Sequence, residues 1–142
     1  MELRLFHMTD FDAIIPLEKQ NPVARKIVYH LAINGTSYAA YNGTDVPLAV
    51  GGGLFSQPGV AQVWLIASEH GKRHPRQLLQ AVRGVVDKLM DGTDLRRMET
   101  TIDPTDTKAV RFAEFLGFQR EGCRRKGGLD GRDEDWYAMV RD

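Results

Sequence analysis

The sequence contains a single cysteine, no long hydrophobic run and no excess of either charge. Because Cys123 has no second cysteine to pair with, an intrachain disulfide is excluded, and we expect a reducing, cytoplasmic setting. No apolar run approaches the roughly 20 residues that a membrane-spanning helix needs, so we expect no membrane partner. Nineteen basic and nineteen acidic residues cancel, so no overall field favours nucleic acid.

The histidines do not predict a metal site. The sequence has four of them, and two, His70 and His74, lie on either side of a loop that is followed by Pro75. This arrangement does not match the ligand spacings that are typical of zinc sites. We therefore expect no metal.

Hydrophobic periodicity predicts strands and helices that alternate along one domain, residues 1–142, because no linker or repeat divides the chain. The strongest helix pattern is Arg76 to Met90, and Asn42-Gly43 is the strongest hairpin signal. The predicted strands are Glu2–Phe6, Ser37–Tyr41, Pro47–Ser56, Val60–Ala67, Leu95–Ile102, Phe118–Arg125 and Glu134–Val140. The predicted helices are Thr9–Lys19, kinked or shortened at Pro16, then Pro22–Leu31, Arg76–Met90 and one that ends at Leu116.

The segment from Asp106 to Phe118, DTKAVRFAEFLGF, is the most informative part of the sequence. Asp103 fits the helix N-cap, with Pro104 at the first helical position and Asp106 as an acidic residue in the first turn. Gly117 suits the left-handed position that ends a helix. One apolar stripe at helical spacing is formed by Ala109, Phe112, Ala113 and Leu116.

This segment resembles the closing helix of the GNAT acyltransferase superfamily, whose pattern is N-x-x-A-x-x-x-Y-x-x-x-G-F. Asp106 falls at the Asn, Ala109 at the Ala, and Gly117-Phe118 at the final Gly-Phe. Ala113 replaces the Tyr, which in the family often protonates the departing CoA thiolate, and an alanine methyl has no proton to donate. The predicted order of elements resembles the same family. It implies an α/β GNAT-like fold with a central, mostly antiparallel mixed sheet whose fourth and fifth strands splay apart.

The resemblance also implies where acetyl-CoA, as co-substrate, would bind. In the family a strand pairs with pantetheine, and the loop R/Q-x-x-G-x-G/A then directs its amides and a helix N-terminus at the CoA pyrophosphate. Arg73 and Pro75 replace the two glycines here, and a solvated basic turn is the alternative interpretation of this loop. The implied cofactor-binding residues are Leu65, Ile66 and Ala67 in the strand, His70, Gly71, Lys72, Arg73, His74, Pro75 and Arg76 in the loop, and Asp106, Ala109 and Phe112 in the closing helix.

Three further features have a structural and a functional interpretation. Gly51-Gly52-Gly53 lies inside a strand pattern, where glycines mark either a bulge or a close approach to a ligand. Trp64 is either a core residue or a platform for a substrate. Cys123 is expected to be a half-buried apolar residue rather than a reactive thiol.

The favoured function is transfer of an acetyl group from acetyl-CoA to an amine of a small molecule or a peptide, by direct attack. A backbone amide near Ile66 or Ala67 would polarise the thioester carbonyl, and no side chain is assigned as catalytic. The alternative is a catalytically silent protein with a structural or assembly role in a virion, because the end of the chain also resembles GNAT-like proteins of tailed phages. Either protein is compatible with a homodimer.

Overall fold

The structure, a computed structural model, describes residues 1–91 and 93–141. The strands are β1 (Glu2–Leu5), β2 (Thr36–Tyr41), β3 (Ala49–Gln57), β4 (Val60–Ala67), β5 (Arg97–Ile102), β6 (Gln119–Arg124) and β7 (Glu134–Val140). The helices are α1 (Met8–Ile14), α2 (Pro22–Asn34), α3 (Glu69–Lys72), α4 (Pro75–Met90) and α5 (Thr107–Leu116), with a 3₁₀ turn at Leu17–Lys19. Among the described residues, no helix is both long and apolar enough to cross a bilayer.

The predicted order of elements is confirmed, with the short helix α3 added before α4. The first helix ends at Ile14 instead of reaching Lys19, because the residue before Pro16 is disfavoured in a helical conformation. Helix α2 starts as predicted at Pro22, where Asn21 caps the amides of the first turn. It continues past the predicted end at Leu31.

The sheet is mixed and mostly antiparallel, as the resemblance implies. Its strand order is β1-β2-β3-β4-β5-β7-β6. Strand β2 is antiparallel to β1 and β3, and β7 is antiparallel to β5 and β6, whereas β4 and β5 are parallel. The parallel pairs are Val60–Arg97, Ala61–Met98 and Gln62–Glu99. A splay of these two strands stays a prediction.

The turn between β2 and β3 is longer than Asn42-Gly43 predicts. The last register pair is Ala40–Ala49, and the Leu48 N–H donates to the Ala40 carbonyl at 2.7 Å. Gly43 has a positive φ of 92°, the conformation for which a glycine at a turn is suited. The sequence therefore predicts the position of this hairpin but not its length.

Contacts divide the chain into two compact units. The first comprises Met1–Leu54 and Val63–Thr93, and the second comprises Phe55–Gln62 and Asp94–Asp142. Each unit has buried apolar side chains of its own. A single domain for residues 1–142 stays a prediction.

The first unit buries apolar side chains on both faces of its strands, because side chains alternate along a strand. On one face, which we call the α1 face, Ala39, Tyr41 and Val50 form a buried cluster against which Phe6, Ile14, Trp64 and Ile66 pack. On the other, which we call the α4 face, Ala40 and Leu48 meet Ala81 of α4, with Leu3 packed against them.

Close packing of backbones explains the glycine run in β3. A Cβ on Gly51 would lie 2.5 Å from the Trp64 carbonyl oxygen, and a Cβ on Gly52 would lie 2.2 Å from the Thr36 carbonyl oxygen. The register between β2 and β3 runs unbroken from Thr36–Gly53 to Ala40–Ala49. Gly51 and Gly52 thus each lie close to a neighbouring strand, and this contact accounts for them without a ligand.

Tyr41 anchors the start of α1 from the α1 face. Its hydroxyl donates to one carboxylate oxygen of Asp10, and the other oxygen accepts the His7 N–H at 2.8 Å. The Arg4 guanidinium lies 4.2 Å from the centre of the Tyr41 ring. Burial and the neighbouring Asp10 raise the pKa of Tyr41 to about 12.

We expect Tyr41→Phe to change how stability responds to alkali. The folded state holds the phenol proton more tightly than the unfolded state, so this stabilisation is complete below pH 10 and is lost as the pH rises from 10.0 to about 12. Urea unfolding should show a free energy about 1–2 kcal/mol lower at neutral pH, because Asp10 loses its partner, and a shallower decline in that alkaline window. Tyr29→Phe, at an exposed ring, is the control. If the free energy of unfolding of Tyr41→Phe falls as steeply as that of the wild type over this pH range, Tyr41 is not the group responsible.

In the second unit, helix α5 presents the predicted stripe. Ala113 is buried and Ala109, Phe112 and Leu116 are half-buried, whereas Phe115 lies outside the stripe and is exposed. The helix ends at Gly117, whose φ of 104° is the left-handed conformation that the sequence predicts. The Phe118 N–H donates to the Ala113 carbonyl at 3.0 Å and completes this ending.

The start of α5 corrects the predicted N-cap. Asp106 is the cap, and its carboxylate accepts the Ala109 N–H at 3.1 Å. Asp103 instead accepts the backbone N–H and the hydroxyl of Thr105, so it stabilises a turn before the helix. Both aspartates suit a cap, and the local turn decides between them.

Strand β6 stands at the end of the strand order, and most of its side chains are exposed. Cys123 is exposed there, which corrects the half-buried position expected for it. Arg120 pairs with Asp135 of β7 at 2.9 Å. The register with β7 shifts between Arg120 and Gly122.

We expect Gly117→Ala to lower the free energy of unfolding by about 1–2 kcal/mol, because a Cβ is strained at this left-handed position. Gly122→Ala is the matched control, since no atom lies within 4 Å of its added Cβ and its φ is not positive. Urea denaturation of both variants is the measurement, with Gly122→Ala expected within about 0.5 kcal/mol of wild type. Equal effects would show that strain at Gly117 is not the cause.

Candidate cofactor site

The segment after β4 is tied to the start of β3 through Ser68. The buried Ser68 hydroxyl donates to the Pro47 carbonyl at 2.6 Å and accepts the Gly71 N–H at 2.9 Å. The Ser68 N–H donates to the Leu48 carbonyl at 3.0 Å. Because Pro47 and Leu48 are fully buried, these bonds fix the segment to a rigid part of the first unit.

Gly71 allows helix α3 to approach β3. A Cβ at this position would lie 2.1 Å from the Leu48 carbonyl oxygen, and only glycine avoids that contact. The glycine therefore brings two backbone segments of the protein together.

Most amides of the predicted pyrophosphate loop are used in hydrogen bonds to the loop itself or to the two residues before it. The Gly71 N–H binds the Ser68 hydroxyl, and the amides of Lys72, Arg73 and His74 donate to the carbonyls of Ser68, Glu69 and Gly71. In this conformation none of the four is left for a phosphate. Binding of the cofactor by these residues stays a prediction, with their side chains rather than these amides as donors.

The first turn of α4 offers two amides instead. The first hydrogen bond of this helix runs from the Leu78 N–H to the His74 carbonyl at 2.9 Å, and Pro75 has no N–H. Among the described residues, no group accepts from the amides of Arg76 and Gln77, and no side chain caps the helix. Free amides and the helix dipole favour an anion at this end.

Three exposed cations flank this helix start, namely Lys72, Arg73 and Arg76. Lys72 forms a loose ion pair with Glu69 at 3.5 Å. Within residues 1–91 and 93–141, neither arginine has an ion-pair partner. Two guanidinium groups are thus free to bind phosphate oxygens.

A chain of polar side chains, which sequence reasoning missed, holds the loop beside α4. The His70 Nε2–H donates to the Asn42 side-chain oxygen at 3.0 Å, and the Asn42 amide donates to the Gln77 side-chain oxygen. The His74 Nδ1–H donates to the His70 carbonyl at 2.8 Å, with the two rings 4.6 Å apart. Asn42 signals a turn in the sequence, and nothing there indicates its contact with His70.

The described residues contain no group of three or more potential metal ligands.

The predicted pantetheine residues Leu65, Ile66 and Ala67 end β4 just before Ser68. The Leu65 side chain lies on the α4 face, where it lines a small apolar cavity of about 10 Å³ with Val82 and Val85. Ile66 packs on the α1 face. Ile66 serves packing, whereas the Leu65 side chain lines the cavity and stays partly exposed. Pairing of pantetheine with this strand stays a prediction.

The remaining predicted site residues, Asp106, Ala109 and Phe112, belong to the second unit. The Asp106 carboxylate is engaged by the Ala109 N–H, which is a capping role, and Phe112 is half-buried in the helix stripe. Ala113, at the position of the family's Tyr, is buried and carries no proton donor. Their role toward a cofactor stays a prediction.

No protein-family model and no curated protein sequence matches the chain. Solved structures do match it. A variant of the spermidine N-acetyltransferase SpeG from Vibrio cholerae is 13% identical with a TM-score of 0.71, over 99% of this chain and 95% of that one. Ard1 from Thermoplasma volcanium is 12% identical with a TM-score of 0.76, over 99% of this chain and 97% of that one.

An acetyltransferase of the GNAT family from Bacillus anthracis is 20% identical with a TM-score of 0.65, over 97% of this chain and 93% of that one. The chain has the GNAT fold. The implied fold is thereby confirmed over nearly the full length of the sequence. At such low identities the similarity establishes the fold alone, and it does not identify an acceptor substrate.

We expect Ser68→Ala to lower the free energy of unfolding by about 1–3 kcal/mol, because a buried carbonyl and a buried amide lose their common partner. Ser56→Ala is the matched control, since the exposed Ser56 hydroxyl makes one long contact of 3.5 Å to the Val60 carbonyl. Chemical denaturation of both variants is the measurement. A Ser68→Ala variant as stable as Ser56→Ala would show that the tie is not structural.

Proposed function

We propose that this protein transfers an acetyl group from acetyl-CoA to an amine. The observation that carries the proposal is the start of α4, beyond the short helix α3 that follows β4. Two amides and two arginines there have no partner among the described residues. This arrangement suits the pyrophosphate of a CoA thioester. Structural similarity to N-acetyltransferases supports the same function.

The phosphates of CoA would be held mainly by side chains. Lys72, Arg73 and Arg76 are exposed, so their attraction for an anion acts through water and is screened by salt. The free amides of Arg76 and Gln77 add hydrogen bonds that salt screens less. CoA affinity should therefore fall more steeply with ionic strength than in a loop that binds phosphate through buried amides.

The transfer itself needs few protein groups. The neutral amine attacks the thioester carbonyl, the new N–C bond forms, the C–S bond breaks, and the nitrogen releases a proton while the thiolate takes one up. A backbone amide near Ile66 or Ala67 would stabilise the developing oxyanion. Ala113 supplies no acid, so water would protonate the thiolate. Loss of a general acid costs roughly 10²–10⁴-fold in rate and does not abolish transfer.

A catalytically silent protein with a structural role in a virion is the second candidate. Two observations favour it: four loop amides are already bonded to protein groups, and Ala113 is buried where the family places a proton donor. Such a protein would keep the fold without binding CoA. Calorimetric titration with CoA therefore separates the two candidates.

We expect Arg73→Glu to weaken acetyl-CoA binding by about tenfold or more, because an attractive charge becomes a repulsive one. Arg83→Glu is the matched control: it makes the same charge change on an exposed residue further along α4. Calorimetry at low and high salt should show a large loss for Arg73→Glu at low salt, a smaller loss at high salt, and little change for Arg83→Glu. Equal losses in both variants would indicate a general charge effect and would remove Arg73 from the site.

A further inference from the structure

Two histidines lie side by side at the start of α4. The ring centres of His70 and His74 are 4.6 Å apart, and His70 is half-buried whereas His74 is exposed. His74 is the N-cap residue of α4 and directly precedes the first turn, in which the amides of Arg76 and Gln77 have no acceptor among the described residues. Imidazole is the side chain whose charge ordinarily changes between about pH 5 and pH 8. The pair therefore adds a titratable element to the proposed anion site.

Each ring uses one nitrogen in a hydrogen bond that does not depend on the charge of the ring. The His74 Nδ1–H donates to the His70 carbonyl at 2.8 Å, and the His70 Nε2–H donates to the Asn42 side-chain oxygen at 3.0 Å. The other nitrogens, His74 Nε2 and His70 Nδ1, have no partner among the described residues. Either ring can therefore bind a second proton without losing an existing bond.

The charged residues around the pair are mostly cationic. Those on α3, in the loop and on α4 are Glu69, Lys72, Arg73 and Arg76. The turn between β2 and β3 contacts the pair through the neutral Asn42, and the carboxylate of this turn, Asp45, interacts with Tyr41. A pyrophosphate that these cations attract would add negative charge beside the two rings. Negative charge nearby favours the protonated form of an imidazole.

We propose that binding of the CoA pyrophosphate at the start of α4 takes up one proton from solvent, which the His70–His74 pair holds, with the free Nε2 of His74 donating to a phosphate oxygen. That the anion belongs to CoA rests on the proposed function. Because the complex holds more protons than the free protein, affinity rises as the pH falls from about 8 and levels off where the free pair is already protonated. Attack on the thioester needs a neutral amine, which high pH favours, so cofactor binding and acetyl transfer have opposite dependences on pH.

Dephospho-CoA is the ligand for the test. CoA carries a 3′-phosphate that itself gains a proton near about pH 6, which would mimic a change in the protein. Dephospho-CoA lacks this group, and its pyrophosphate keeps the same charge over the whole range in which imidazole titrates. Any pH dependence of its affinity in that range therefore comes from the protein.

Calorimetry at constant ionic strength, in two phosphate-free buffers with different heats of ionisation, measures affinity and proton uptake together. From about pH 8 to about pH 5.5, the affinity for dephospho-CoA should rise about fivefold or more, the effect of one added hydrogen bond, with a net uptake of protons. His74→Gln removes the titratable ring but keeps a polar side chain, so it should lose most of the pH dependence and of the uptake. His30→Gln, at an exposed residue of α2, is the matched control and should behave like the wild type.

The outcomes separate this inference from the proposed function. If the wild-type protein binds dephospho-CoA equally at both pH values and takes up no proton, the inference is wrong and the proposed function stands. A pH dependence that His74→Gln retains in full, or binding of CoA without binding of dephospho-CoA, overturns the inference as well. If neither ligand binds at any pH, the proposed function fails and the inference fails with it. The wild-type measurements decide the question even if His74→Gln does not fold.

Discussion

The hydrogen bonds that join Ser68 to the backbone at Pro47 and Leu48, and to the Gly71 N–H, are the constraint on which the candidate cofactor site depends. They turn the chain sharply after β4, fold residues 69–72 into a helical turn and set the starting point of α4. The fully buried Leu48 side chain makes the other end of the tie rigid. Without this tie, the exposed cations near His74 would have no fixed position relative to the free amides of α4.

The tie also accounts for the two residues that replace glycines of the family's loop. Where amides must point at a phosphate, the backbone needs glycines to approach the ligand closely. Here the amides of residues 71–74 bind protein groups, so an arginine and a proline are tolerated at these positions. Pro75 fits the first position of α4, where a missing N–H costs nothing. In the proposed site, charged side chains would take the place of these backbone donors.

Local patterns in the sequence predict most of the fold, because each element carries its own periodicity and its own ending. The Val60–Ala67 strand, the Glu134–Val140 strand and the left-handed Gly117 all follow from neighbouring residues. The exceptions are places where two residues compete for one role, or where residues in contact lie far apart in the sequence. Asp103 and Asp106 are equally good caps until a turn engages one of them, and Asn42 meets His70 only after a sheet has formed.

The candidate site is predictable only in part for the same reason. A basic loop before a strong helix can be read from the sequence, but which of its amides are already bonded cannot. The free ring nitrogens of His70 and His74 have no signal in the sequence either, since the bonds that occupy the other two nitrogens exist only in the folded chain. Residue type indicates what chemistry is available, and only the fold indicates which groups are unused.

The bonded amides of residues 71–74 have a further thermodynamic consequence. A loop that becomes ordered only around its ligand loses conformational entropy at the moment of binding, which weakens affinity. In this protein that ordering is complete when the chain folds, because the amides have partners in the free state. An anion that reaches α4 therefore meets a surface in its final shape. The rate at which such an anion would associate is then set by diffusion and charge rather than by a slow rearrangement of the backbone.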